Sequence, residues 1–150
     1  PGPPTMDETK AMIDKAKSHI KIHGFGRFAC EEKKTSKFIG FVGLEHAEYT
    51  SKSKSAIEIF WRLGSQFWGK GYATEAAKAI LEKAFVDYKI DEIISVAVAN
   101  NKRSRRVMEK IGLIYDLDGD FQHPRVPKDH ILSWHVLYRL TKERYENQIS

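Results

Sequence analysis

The sequence predicts a single mixed α/β domain spanning residues 1–150, in which helices flank a central sheet. A strand-like run at 56–63 leads through a loop with two glycines into a helix with one apolar face. A second apolar run at 93–99 leads through a polar turn into another helix, so the strand and helix order repeats. Hydrophobic residues make up 41% of the chain, an ordinary value, so a core can form without disulfides or metals.

The N-terminal part is predicted to be a helix followed by a β-hairpin. Thr5 and Glu8 have the S/T-x-x-E spacing of a capping box, and Gly24 marks the end of the helix. Residues 25–32 and 38–44 are strand-like and are joined by a short polar turn, as in a hairpin. The helix is expected to direct four apolar side chains inward, namely Met12, Ile13, Ala16 and Ile20.

After a polar loop at 48–55, the strand at 56–63 runs into the sequence Gln66-Phe67-Trp68-Gly69-Lys70-Gly71. Glycines give the backbone access to left-handed dihedrals, and the first N–H groups of the following helix favour an anion, so this loop predicts a phosphate site. A plain left-handed connection is the alternative. The spacing excludes a Walker loop and a dinucleotide fingerprint. The helix has its apolar positions on one face, at Ala73, Ala76, Ala77, Ile80, Leu81, Ala84, Phe85 and Tyr88.

The C-terminal part is predicted to hold one more strand–helix unit and two closing strands. Asn101 follows the strand at 93–99 as the N-cap of a helix that ends near Gly112. Closing strands are expected at 113–117 and 134–140, separated by the loop 121–130. Basic side chains crowd the start of this helix, where an anionic ligand would offset the unfavourable dipole; the alternative is a solvated basic face. They are Lys102, Arg103, Arg105 and Arg106.

Charge and cysteine content limit the class of protein. The net charge of +5 and pI of about 9.2 permit a polyanionic partner without requiring one. Cys30 is the only cysteine, so an intramolecular disulfide is excluded and a reducing, cytoplasmic setting is expected. We expect no membrane segment and no secretory leader, because no apolar run approaches the ~20 residues of a membrane span.

The two loop motifs taken together resemble the GNAT N-acetyltransferases, and more narrowly the branch of ribosomal-protein N-terminal acetyltransferases. The first runs from Glu58-Ile59-x-Trp61-x-Leu63 into Gln66-x-x-Gly69-x-Gly71-Tyr72-Ala73-Thr74. The second is Asn101-x-x-Ser104, with Met108 and Gly112 after it. The resemblance covers about residues 5–140 and implies a mostly antiparallel sheet that splays apart after the strand at 57–63 to admit acetyl-coenzyme A.

The resemblance also implies which residues bind acetyl-coenzyme A. Trp61 and Leu63 would pair with the pantetheine arm through their backbone, with the Leu63 amide polarising the thioester carbonyl. Asn101 would bond the pantetheine, although a helix N-cap explains its side chain equally well. Backbone N–H groups would hold the pyrophosphate, from a loop that includes Gln66, Gly69, Lys70, Gly71, Tyr72, Ala73 and Thr74.

By the same resemblance, a substrate amine attacks the thioester directly. Glu58 occupies the strand position of the proposed base; the alternative is a solvent-facing residue paired with a lysine. Ser104 would protonate or hydrogen-bond the departing thiolate of coenzyme A, and so counts as both a catalytic and a cofactor-binding residue, or else would only satisfy nearby backbone. Tyr115 is a second candidate acid. No metal is expected, because His123, His130 and His135 lack metal-ligand spacing and suit the surface or an acceptor pocket, which the loop at 121–124 would line.

Family members normally begin with a strand and a helical stretch ahead of the segment that starts at Pro1, so the resemblance implies an incomplete N-terminus. We expect the 150 residues alone to be less stable or less active than a longer version. The expected partners are acetyl-coenzyme A and an amine acceptor, in a monomer or homodimer. Two alternatives are a basic RNA- or ribosome-binding module, disfavoured because Trp61 and Trp68 suit packing better than base stacking, and a catalytically silent relative that only binds the cofactor.

Overall fold

The computed structural model describes residues 4–48 and 56–150, which form a seven-stranded sheet flanked by four helices. The strands in chain order are β1 (Arg27–Glu32), β2 (Lys37–His46), β3 (Ile57–Leu63), β4 (Glu92–Val98), β5 (Ile114–Tyr115), β6 (Phe121–Gln122) and β7 (Trp134–Thr141). The helices are α1 (Met6–His23), α2 (Tyr72–Glu82), α3 (Lys102–Lys110) and α4 (Lys142–Ile149). The polar loop expected at 48–55 lies almost wholly outside the described residues.

The sheet has the order β1-β2-β3-β4-β7-β5, and β6 pairs with β7. Every pairing is antiparallel except that of β3 with β4, which is parallel and has only two residue pairs, Ile57 with Ile93 and Glu58 with Ile94. Both strands continue for several residues beyond that contact, so they separate toward their C-terminal ends. This is the splayed, mostly antiparallel sheet that the family resemblance implied.

The hairpin β1–β2 and the capping box of α1 are confirmed. The Thr5 hydroxyl accepts from the Glu8 amide, and the Glu8 carboxylate accepts from the Thr5 amide at 2.7 Å. The prediction that α1 directs four apolar side chains inward is partly wrong, because Met12 and Ile13 are 48% and 44% exposed. Throughout Met6–His23, all of which the structure describes, no side chain is buried. α1 therefore lies on the domain without contributing to its core.

The core lies between the sheet and α2. Its members include Leu44 and Ile59 on neighbouring strands, Leu81 and Phe85 from α2 and the turn of π-helix at Lys83–Asp87, and Met108 of α3. Burying such side chains contributes about 1.5–3 kcal/mol each, so this layer fixes how α2 and α3 sit against β3 and β4.

Two elements at the C-terminal end differ from expectation. The closing strand expected at 113–117 is reduced to β5, and a short strand, β6, lies within the predicted loop. α4 was not predicted, although it begins with a local signal, because the Thr141 side chain accepts from the Arg144 amide. Its Tyr145 ring stacks on Phe85 with centroids 4.7 Å apart, so α4 closes one side of the core.

Candidate active site

The separation of β3 and β4 opens a cleft of about 580 Å³. Its walls come from the end of β3, the loop and first turn of α2, and one face of α3 along its whole length. The lining residues are Trp61, Arg62, Leu63, Phe67, Trp68, Gly69, Gly71, Tyr72, Ala73, Thr74, Asn101, Arg103, Ser104, Arg106, Val107 and Lys110. The loop before α2 and the turn before α3, which are about 30 residues apart in the sequence, therefore face each other across one cleft.

The register of β3 determines which of its peptide groups point into this cleft. Ala47 donates to Ala56, and Gly64 donates to Ile39, so the even-numbered residues of β3 direct their backbone groups toward β2. The odd-numbered residues, Trp61 and Leu63 among them, direct theirs toward the β4 side, where the strands have separated. This edge of β3 can pair with an extended ligand in place of a strand.

A serine marks the point where β3 and β4 part. Ser95 is 2% exposed, and its Oγ donates to the carbonyl oxygen of Ile59 at 2.9 Å, one step beyond the last backbone pair. A side chain thus takes the place of the next interstrand contact and stabilises the opened geometry. No role was predicted for Ser95 from the sequence.

The loop before α2 has the conformation that its glycines predicted. Gly69 and Gly71 have φ of +73° and +81°, a region that other residues rarely adopt. Within the described part of the chain, no heavy atom lies within 4 Å of a Cβ built on either residue. The space above these glycines is therefore open on the ligand side.

Gly71 is also the N-cap of α2, and among the described residues no side chain caps that helix. The first N–H groups of α2 and the positive end of its dipole consequently face the cleft without a protein oxygen as a cap. That arrangement binds an anion such as phosphate.

The N-terminus of α3 forms the opposite wall. The Asn101 side chain accepts a hydrogen bond from the Ser104 amide at 3.1 Å, so Asn101 is the N-cap of α3. This was one of the two roles expected for it. This bond uses only the side-chain oxygen. The side-chain nitrogen of Asn101 takes no part in this hydrogen bond, and Asn101 lines the cleft. A contact between that nitrogen and a ligand is therefore compatible with the capping role.

The basic cluster at the start of α3 divides between two tasks. Arg103 and Arg106 line the cleft, and the Arg103 guanidinium lies 4.6 Å from the Trp68 ring centre on the other wall. Arg105 instead points inward, where it donates to Tyr138 and to the Ala99 carbonyl at 3.1 and 3.2 Å. The hydrogen bond with Tyr138 raises the pKa of Arg105. Only part of the cluster is thus available to a ligand, and part holds α3 against β7.

Three of the predicted site residues lie outside the cleft lining. Lys70 places its ammonium 5.7 Å from the centre of the Phe67 ring, and Gln66 has its amide near Gly64. Glu58 is 6% exposed and is the last β3 residue paired with β4. The interpretation of Glu58 as a solvent-facing residue is therefore wrong, and the carboxylate sits where the two strands begin to diverge.

Tyr115, the second candidate acid, also lies outside the lining. Its hydroxyl donates to Asp120 at 2.7 Å, and this bond raises the pKa of the phenol. Its ring packs on Tyr138, with centroids 5.4 Å apart. Ser104, in contrast, is half-buried and borders the cleft directly. The structure therefore brings Ser104, and not Tyr115, into the cleft.

Comparison with known proteins assigns this fold to the acetyltransferases. Residues 1–114 match the family model described as the acetyltransferase (GNAT) domain, and the chain belongs to the GNAT family. Within the described residues, no helix is long and apolar enough to cross a membrane.

Individual relatives agree with this assignment. An uncharacterized protein of Bacillus subtilis strain 168, YkkB, is 30% identical over 108 residues, covering 72% of this chain and 62% of that protein. An FsC-acetyl coenzyme A-N(2)-transacetylase of Aspergillus fumigatus is 30% identical over 128 residues, covering 83% and 53%. A putative ribosomal N-acetyltransferase of B. subtilis, YdaF, is 27% identical over 75 residues, covering 50% and 39%. The chain thus spans only about half to three fifths of the length of the first two.

A solved structure confirms the fold. The acetyltransferase (GNAT family) from Bacillus anthracis superposes with a TM-score of 0.73 at 26% identity, covering 95% of this chain and 78% of that one. The agreement extends over nearly the whole chain, which is consistent with the sequence resemblance over residues 5–140.

Proposed function

We propose that the protein is an acetyl-coenzyme A-dependent N-acetyltransferase in which a primary amine attacks the thioester directly. The observation that carries this proposal is the shared cleft. The opened edge of β3 and the uncapped, glycine-framed N-terminus of α2 border the same space. An extended acyl carrier with a pyrophosphate needs these two features side by side.

In the proposed complex, the pyrophosphate lies at the first turn of α2, where it meets backbone N–H groups and the positive end of the helix dipole. The pantetheine arm pairs with Trp61 and Leu63 as a false strand, and the Leu63 N–H polarises the thioester carbonyl. Arg103, Arg106 and Lys110 line the same cleft and add favourable charge. Family resemblance suggests this orientation, and the register of β3 supports it.

The reaction forms a C–N bond and breaks the C–S bond of the thioester. The attacking amine must lose a proton and the departing thiolate must gain one, so a base and an acid are needed. Glu58 is the proposed base, acting directly or through a water, because it lies where β3 and β4 diverge. Ser104 is the proposed acid, because it is half-buried in the cleft wall.

Calorimetric titration with acetyl-coenzyme A tests the binding step. We expect a micromolar dissociation constant and no comparable heat with single-stranded RNA at the same ionic strength. The absence of acetyl-coenzyme A binding at millimolar ligand would overturn the proposal. RNA binding with no acetyl-coenzyme A binding would favour the nucleic-acid module instead.

Measurement of thiol release tests the catalytic roles. Glu58→Gln and Ser104→Ala are each expected to lower kcat about 100-fold or more while leaving acetyl-coenzyme A affinity near the wild-type value. Glu45→Gln is the matched control, because Glu45 on β2 lies opposite Glu58 on β3 but forms its ion pair with Arg27. Unchanged turnover in Glu58→Gln or Ser104→Ala would remove that residue from the mechanism.

The acceptor belongs to the class of primary amines, either a protein N-terminus or a small molecule. The names of two relatives point both ways, since one is a putative ribosomal N-acetyltransferase and the other is an FsC-acetyl coenzyme A-N(2)-transacetylase. A screen of N-terminal peptides, polyamines and amino acids by thiol release distinguishes the two. The single cysteine supports a reducing, cytoplasmic setting as part of the same proposal.

A further inference from the structure

Three histidines meet at the end of α1, away from the cleft. His19 and His23 are four residues apart on the helix and therefore lie on one face, and His46 is the last residue of β2. One ring nitrogen from each lies within 4.8 Å of the others. The ring centre of His23 lies 4.5 Å from that of His19 and 4.8 Å from that of His46. This is the donor set that binds first-row transition metals.

A hydrogen bond to the backbone already orients one histidine of the cluster. His19 Nδ1 lies 2.8 Å from the carbonyl oxygen of Phe25, and since a carbonyl only accepts, that nitrogen carries the proton. The Nε2 atom of His19 is then the one available to a metal. A histidine held by a backbone carbonyl in this way has its tautomer and ring orientation fixed, as metal-ligating histidines usually do.

Phe25 also forms the apolar floor of the cluster. It is 8% exposed, and its ring centre lies 5.5 Å from His19, 6.1 Å from His23 and 5.4 Å from His46. Water is excluded from that side, which strengthens the interaction of an ion with the three nitrogens.

Tetrahedral zinc with Zn–N bonds of about 2.0–2.1 Å places its ligand nitrogens about 3.3 Å apart. The ring centres of His19 and His46 are the furthest apart, at 5.8 Å, and the nitrogens must close by at most roughly 1.5 Å, which rotation of the histidine side chains can supply. Three nitrogens leave the fourth position to a water. His46 and Gly40 are six residues apart on β2, about 20 Å, and it is Gly40 that pairs with Leu63, whereas His46 pairs with Ile57, the neighbour of Glu58.

We propose that His19, His23 and His46 bind one divalent transition-metal ion, which fastens the C-terminal turn of α1 to the end of β2. The role is structural. α1 has no buried side chain among Met6–His23, so its position depends on few contacts and gains much from a metal clip.

Zinc titration of the metal-free protein tests this proposal. We expect one Zn²⁺ per chain with a micromolar dissociation constant and a rise of about 5 °C in Tm at saturating Zn²⁺, with no rise in Mg²⁺. Co²⁺ is expected to give the intense visible absorption of a tetrahedral site. His23→Gln and His46→Gln are each expected to weaken Zn²⁺ binding at least tenfold.

His130→Gln is the matched control, because His130 is an exposed histidine outside the cluster. It is expected to bind Zn²⁺ as the wild type does. His23 is itself exposed, so circular dichroism of His23→Gln should match the wild type and exclude misfolding as the cause. Zinc affinity that is unchanged in His23→Gln, or lost equally in His130→Gln, would overturn the proposal, as would the absence of binding at ~100 μM Zn²⁺.

Discussion

The N-termini of α2 and α3 face each other across one cleft, yet they present it with different chemistry. α2 begins at a glycine in the left-handed region, with no side-chain cap among the described residues. α3 begins at an asparagine that caps it, and it carries Arg103 and Arg106 into the cleft. One wall offers backbone N–H groups and a helix dipole, and the other offers mobile side-chain charges.

The two walls differ in how far their donor groups reach and in how rigidly those groups are held. Backbone donors hold a fixed position, so they suit a ligand group that must be placed accurately, such as a pyrophosphate next to the strand that holds the thioester. Arginine side chains reach further and adapt, so they add attraction without fixing a position, and salt screens them when they are exposed. We therefore expect substitutions in the α2 loop to affect affinity more than substitutions on α3.

The largest effect is expected for Gly71→Asp. A carboxylate at the N-cap of α2 would repel a pyrophosphate, and like-charge contacts of this kind cost several kcal/mol, so the dissociation constant for acetyl-coenzyme A should rise at least ~100-fold. A non-glycine residue at φ +81° also costs about 1 kcal/mol of stability. Calorimetry measures the first effect and thermal unfolding the second.

Gly24→Asp is the control for backbone strain. Gly24 has φ of +80°, and, like Gly71, its built Cβ meets no heavy atom within 4 Å in the described part of the chain. It ends α1, far from the cleft. Both variants should lose stability through backbone strain, Gly24→Asp more than Gly71→Asp because its carboxylate meets the negative end of the α1 dipole, and only Gly71→Asp should lose affinity. Equal affinities would show that the α2 N-terminus does not hold the anion.

A smaller effect is expected when Arg103 and Arg106 are both changed to Gln. Removing two adaptable charges should raise the dissociation constant about tenfold at low salt and make binding less dependent on ionic strength. Arg103 should account for more of the lost affinity than Arg106, because the contact of Arg103 with the Trp68 ring links the two walls. Titrations at two salt concentrations measure both changes.

A double change of Lys102 and Lys142 to Gln is the matched control, since it also lowers the net charge from +5 to +3, by two units. Neither lysine lines the cleft. If this control weakens binding as much as the arginine double variant, the attraction comes from overall charge, and the comparison of the two walls fails.

Local signals in the sequence were enough to predict most of these two walls. A left-handed glycine and a capping asparagine act on their own turn, so their roles are visible without the fold. The separation of β3 from β4 was implied by family resemblance alone, because the residue pairing that ends at Glu58 depends on how the whole sheet twists. Gln66 and Lys70 lie outside the lining because motif membership does not determine where a side chain points.

The α1 region was predicted less well for the same reason. Met12 and Ile13 have helical spacing, but spacing does not show whether a partner surface exists, and both are exposed. The four-residue spacing of His19 and His23 is visible in the sequence, but the sequence prediction about metals considered only the C-terminal histidines. Their third member, His46, is 23 residues further along the chain than His23 and joins them only through the fold.

The smallest effect concerns Asn101, where the capping role and a ligand role can be separated. Asn101→Ala removes the cap and should cost about 1 kcal/mol, or about 3 °C in Tm. Asn101→Ser keeps a capping oxygen but has no amide nitrogen, so it should retain stability and lose about fivefold in acetyl-coenzyme A affinity, the size of one neutral hydrogen bond. Thr141→Ala removes the cap of α4 outside the cleft, and it should lose stability alone. Wild-type affinity in Asn101→Ser would make Asn101 a cap only, and the α3 wall would then act through its arginines and Ser104.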